Sequence, residues 1–236
     1  PTAQTNNVIS HPVRRHLVNV YLTLAAMCAI AAMSSQMGNY FGPNGSSIGS
    51  IGAVASGTMI RYTSFNSTSR WALLLAYSVF SGVAISAMVT YFLNWDPSGN
   101  LIFLSLTSSV LVFLGFSLSA TMSSRRNTMY IGALASSALG LLAWLSLANV
   151  LFIRSSNVFS FELYAGLLAF AGFVMYDTQM IIERASLGVM DIPGHAIELF
   201  MDLYSLFIRL ANILIKKEMD RENEKRRRRS QRLQRG

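Results

Sequence analysis

Seven apolar stretches recur along the chain, at about 18–41, 46–64, 71–94, 101–122, 129–153, 160–182 and 196–215. Each is close to the ~20 residues that a helix needs to cross the hydrocarbon core of a bilayer. The gaps between them are short and rich in turn residues, as in Gly42-Pro43-Asn44-Gly45, Asp96-Pro97-Ser98-Gly99 and Ile192-Pro193-Gly194. No soluble domain fits between such runs. The pattern predicts an all-α membrane protein, a bundle of seven transmembrane helices in which six surround a charge-bearing seventh. Residues 1–17 read as a polar flank, 18–215 as the helical domain and 216–236 as a basic tail.

Composition agrees: 52% of residues are hydrophobic and only 13% charged, with a mean hydropathy of +0.41, too apolar for an ordinary soluble domain. The net charge of +8 looks like a nucleic-acid signal until it is divided by region. Ten of the nineteen basic residues lie beyond Ile215, where the net charge is +6. The basicity belongs to a tail, and nucleic acid is not an expected partner. Cys28 is the only cysteine, so no intrachain disulfide is possible, and it reads as a small core residue. The first apolar run is long and followed by others, which is unlike a cleavable signal peptide.

Within the last two runs stand two carboxylates, Asp177 and Asp202. An unpaired charge at such depth costs at least ~2.5 kcal/mol, and intramembrane carboxylates usually mark ion paths or proton relays. Asp177 precedes the end of its run by five residues and Asp202 follows the start of the next by six. At ~1.5 Å per residue both lie roughly 8 to 9 Å in from the same face. A short connection makes the two helices antiparallel neighbours, so the carboxylates are expected to meet and to hold a proton, a cation or an arginine between them. A purely structural alternative has them capped by hydroxyls such as Thr178 and Ser205.

The surrounding residues carry a resemblance. Tyr176-Asp177-Thr178-Gln179-Met180-Ile181-Ile182-Glu183, followed by His195-Ala196-Ile197-Glu198-Leu199-Phe200-Met201-Asp202-Leu203, resembles the Bax inhibitor-1 family of membrane proteins. Arg15-His16-Leu17 with Val20-Tyr21, and Leu147-Ala148-Asn149-Val150, extend the similarity over nearly the whole chain. The third helix carries Ser86-Ala87 where many members have Gly-Pro, which counts against a kink-dependent role there. The resemblance implies a short leader before Pro1, an endoplasmic reticulum location, calcium as the transported ion, suppression of cell death, and association with anti-apoptotic Bcl-type proteins and the unfolded-protein-response sensor.

Arginine placement gives an orientation. Arg14, Arg15, Arg61, Arg70, Arg125, Arg126 and Arg184 fall on one side and only Arg154 on the other, which places the N-terminus in the cytosol. A complete seventh span then puts the basic tail outside, against the same rule. The alternative is a re-entrant seventh helix that dips in and returns. Asn44 and Asn66 lie in N-x-[S/T] sequons, and a glycan on Asn66 would overturn the orientation.

Further candidates flank the aspartates. Arg61, at a similar depth, is a gating candidate able to hold a deprotonated aspartate. Glu198, Asp202 and Arg209 are spaced by four and seven, so one helix face presents all three. Glu198 and Arg209 are gating or pairing candidates too; Arg209 reads either as pairing toward the outer side or as a snorkelling anchor, Glu198 otherwise as a solvated helix end, and His195 as an exposed loop residue.

The leading expectation is a pH-sensitive calcium leak or proton-coupled calcium transporter in which Asp177 and Asp202 line the calcium path and share a proton. Carboxylate oxygens suit a hard cation, and two of them make a weak site. The residues themselves specify only a cation or proton. A second reading is a non-transporting scaffold acting through the tail, where Lys225-Arg226-Arg227-Arg228-Arg229 attracts anionic lipid or acidic partners. A remote third is an intramembrane aspartyl protease, disfavoured because Asp202 sits in Phe-Met-Asp-Leu without glycines. No nucleotide loop, zinc spacing or cofactor motif stands out, and no enzyme is expected.

Overall fold

A computed structural model describes residues 10–64, 67–123 and 125–233; Asn66 lies outside the described residues. Among these the chain is helical, with no strand: α1 (His11–Ser34), α2 (Gly45–Tyr62), α3 (Thr68–Ala84), α4 (Ser86–Trp95), α5 (Asn100–Met122), α6 (Arg125–Ala148), α7 (Ser156–Ser186) and α8 (Ile192–Leu233). A 3-10 segment, Met37–Asn44, links α1 to α2, and a π-helical turn, Asn149–Ile153, ends α6. Five segments are long and apolar enough to cross a membrane: α1, the α3–α4 pair, α5, Thr128–Phe152 and Asn157–Ser186. The glycine- and serine-rich α2 and the charge-bearing α8 are not among them.

α8 is the axis of the bundle, with α1, α5 and α7 packed around it. Their shared core includes Val20 and Leu24 of α1, Val174 and Ile181 of α7, and Leu199 and Leu206 of α8. At the far end Phe92 closes over Ala211 and Ile215. α2 lies outside against α3, and α6 outside against α7. The α2–α3 contact depends on Gly49, where a Cβ would come 2.4 Å from the Ala84 backbone nitrogen. Such contact between backbones is the usual reason for small residues at membrane helix interfaces.

Two expectations are corrected here. α8 is one uninterrupted helix of 42 residues, about 63 Å long, and leaves no point at which the chain turns back. The re-entrant alternative therefore falls. The third apolar run, in turn, is broken at Ile85 (φ −86°, ψ 0°) into α3 and α4, despite the missing Gly-Pro. Neighbouring hydroxyls support the break: Ser46 Oγ accepts from the Ala87 amide at 3.3 Å and lies 3.4 Å from Ser86 Oγ. Serines and ordered polar groups re-satisfy interrupted membrane helices in this way.

Candidate functional site: the α7–α8 carboxylate pair

α7 ends in a tight turn, with Gly188 at φ +91°, and α8 begins at once with Pro193 in its first turn, a position where proline's missing N–H is no loss. This short connection brings the two helices together antiparallel. Asp177 and Asp202 face one another across the seam, within side-chain hydrogen-bonding range. Asp177 is half-buried, whereas Asp202 is only 4% exposed and its Oδ2 is buried without a hydrogen-bond partner. An acceptor oxygen left so is costly unless a proton or a cation reaches it.

The nearby charges differ from those expected. Arg184 Nη1 donates to both Glu198 oxygens at 2.9 Å, and the Arg184 charge also acts on Asp177. Glu198 is thus ion-paired rather than simply solvated, and its charge is felt by both aspartates. Arg61 is exposed near the end of α2 and bonds neither aspartate; the preceding Ile60, 1% exposed, takes the inward position. One residue is about 100° of helix rotation, and a depth counted along the sequence carries no direction. Thr178 is also engaged elsewhere, with its Oγ1 3.1 Å from Ser117 Oγ, and Ser117 in turn meets the Tyr21 hydroxyl.

Arg209 makes neither of the contacts expected of it. Its guanidinium lies 4.2 Å from the Phe170 ring centroid, in a notch left by Gly166, where a Cβ would meet Nε at 2.4 Å. The attraction is that of a cation for an aromatic face. It keeps the charge inside the bundle two helical turns beyond Asp202.

His195 is not an exposed loop residue. It is 2% exposed and its Nδ1 lies 2.8 Å from Nε2 of His16, itself 4% exposed. Beside them Arg70 Nη2 donates to Asp191 Oδ2 at 2.7 Å in a buried ion pair. Burial, then the neighbouring His16, pushes His195 down to about 4. The sequence signal for this cluster was Arg15-His16 and Gly194-His195, two histidines at the ends of helices that share one face of the bundle. Of the seven arginines from which the orientation was read, Arg70 is therefore engaged inside the protein and Arg184 in a bridge partly open to solvent.

Among the described residues no group of three or more His, Cys, Asp or Glu side chains is arranged to hold a metal ion. The aspartate pair offers a passing cation two carboxylates, not a closed coordination shell.

The family described as "Inhibitor of apoptosis-promoting Bax1" matches residues 13–219. The chain is 37% identical over 220 residues to Bax inhibitor 1 of Arabidopsis thaliana, covering 91% of this chain and 86% of that protein. It is 34% identical over 221 residues to Bax inhibitor 1 of Oryza sativa subsp. japonica, covering 93% and 87%. For Bax inhibitor 1 of Homo sapiens the identity is 32% over 221 residues, covering 92% of each. The chain belongs to the Bax inhibitor-1 family. The match spans α1 through the first residues beyond the bundle on α8, so the carboxylate pair, the histidine pair and the Arg184–Glu198 bridge all lie within the family's shared region. These relatives are named as inhibitors, and membership makes this chain a multi-pass membrane protein consistent with restraint of cell death.

Proposed function

We propose that this protein is a pH-sensitive calcium leak of an intracellular membrane, the endoplasmic reticulum, with its N-terminus in the cytosol and α2 and α8 completing seven spans. The observation that carries this reading is the Asp177–Asp202 pair with the unpartnered Asp202 Oδ2. With one proton shared between the carboxyls, the pair is closed to cations. When the proton leaves, two carboxylates remain that must attract a cation or separate. The Arg184 charge reaches Asp177 alone of the two, while the Glu198 carboxylate that holds it adds negative charge beside both. The test is calcium flux into liposomes as a function of pH: Asp177→Asn and Asp202→Asn abolish its pH dependence, and unchanged flux in both variants rejects the mechanism.

A second reading has one observation in its favour. Beyond the bundle α8 continues as an exposed helix to Leu233, held by Arg226–Glu222 and Arg228–Glu224 pairs. A basic rod suits acidic partners, among them Bcl-type proteins and the unfolded-protein-response sensor, or anionic lipid. Deleting residues 216–236 separates the roles, because a scaffold loses its partners and a leak keeps its flux.

A further inference from the structure

An apolar hollow lies against α8 between α1, α4 and α5. α1 and α5 touch where Tyr21 meets Phe113 and Ser117, but beside α4, beyond the break at Ile85, a gap remains between them. The result is a cavity of about 380 Å³, the size of a ligand pocket. Its floor is the face of α8 that carries Phe200, Leu203 and Phe207, all buried. Val89 of α4 closes one wall and Cys28 of α1 another. The mouth is formed by Ala32 of α1 and by Phe103 and Leu106 of α5, all exposed.

Three features identify what fills it. The lining is almost wholly apolar, and a hollow without polar partners does not hold water. The mouth opens sideways, between two helices long and apolar enough to span the membrane, onto outward-facing side chains such as Leu111, 66% exposed, and Met33, 69% exposed. Its rim is therefore continuous with the surface that meets lipid. Of the polar side chains on the lining, Tyr204 spends its hydroxyl on the Ser81 carbonyl, and Ser35 and Gln36 lie toward the end of α1, where an ester or glycerol group would lie.

We propose that this cavity is a binding site for one acyl chain of a membrane phospholipid, which enters between α1 and α5 and lies against α8. The chain's inner part rests on Phe200 and Leu203, which flank Asp202 in sequence, so an occupied site keeps water off that face of α8. The proposal does not depend on calcium transport.

The test uses the full chain in phosphatidylcholine vesicles that contain a phosphatidylcholine with a diazirine midway along one acyl chain. After irradiation, adducts are mapped by peptide mass spectrometry. Adducts are expected on the floor residues Leu203 and Phe207 as well as on outward-facing Leu111. Ala32→Trp, which plugs the mouth from an exposed position, should lower floor adducts at least fivefold and leave those on Leu111 unchanged. Leu106→Trp, from the opposite lip, should do the same, and circular dichroism of both variants verifies the fold. Adducts confined to Leu111, or floor adducts undiminished in both folded variants, would overturn the site.

Discussion

Arg184 gives both of its contacts to a single residue, Glu198, and thereby ties the end of α7 to the first turns of α8 one step from the aspartate pair. The bridge is partly open to solvent, with the two side chains 40% and 26% exposed, so its energy is that of a screened ion pair and its value is positional. In a double-mutant cycle with Arg184→Gln and Glu198→Gln, thermal unfolding in detergent should give a coupling of about 0.5–1 kcal/mol. A coupling near zero would mean that the two helices hold their register without it.

The histidine pair predicts an acid limb in stability. His195 is held low in the folded protein, at about 4, against an ordinary value of ~6.5. Below the ordinary value the unfolded chain takes up a proton that the folded protein resists. Stability therefore declines as pH falls from above ~6.5 toward 4, by roughly 1–3 kcal/mol. His195→Gln should flatten this limb in melting curves taken between pH 7.5 and 4.5, whereas a limb of full size in the variant would assign it to other groups.

Gly49 and Gly140 make a matched pair of probes. Alanine at Gly49 drives a Cβ into the Ala84 backbone, while at Gly140 nothing lies within 4 Å. Gly49→Ala should cost about 1–3 kcal/mol or more through overpacking, and Gly140→Ala should be neutral or slightly stabilising. Equal melting temperatures for the two variants would contradict the close α2–α3 contact.

Asp96 accepts from the first turn of α5 through the Leu101 amide and gives a second pH signature, of opposite origin. The Ser98 hydroxyl and then the Leu101 amide, at 3.0 Å, hold its carboxyl below the usual range. A depressed carboxylate stabilises at neutral pH and loses that contribution as pH falls through its folded value. Asp96→Asn should therefore lower the melting temperature at pH 7, with the difference from the parent shrinking once the pH falls below the usual carboxylate range. A difference that persists there would point to packing rather than charge.

Long apolar runs and turn residues made the helices legible, because both report local physics: most run limits agree with the helix ends to within a turn or two. The level of Asp177 and Asp202 was legible for the same reason, since rise per residue is fixed. Direction around a helix was not. Arg61, expected at the aspartates' depth, points outward, and Arg184, counted only as a flanking charge, reaches across to Glu198. His195 looked like a loop residue because the turn beside it is polar, yet His16, 179 positions away, covers it. The break at Ile85 was hidden because it rests on Ser46, forty residues upstream, and not on a local proline.

One helix carries both Asp202 and the arginine-rich stretch around Arg226, with no joint between them. A stiff rod transmits axial force over its whole length. An acidic surface that grips the distal end therefore drags the buried carboxylate along with it, past an Asp177 anchored on its own helix. Under the proposed leak, docking and permeation would be two ends of a single lever, and a partner that never touches the bilayer would set how far apart the two acids stand.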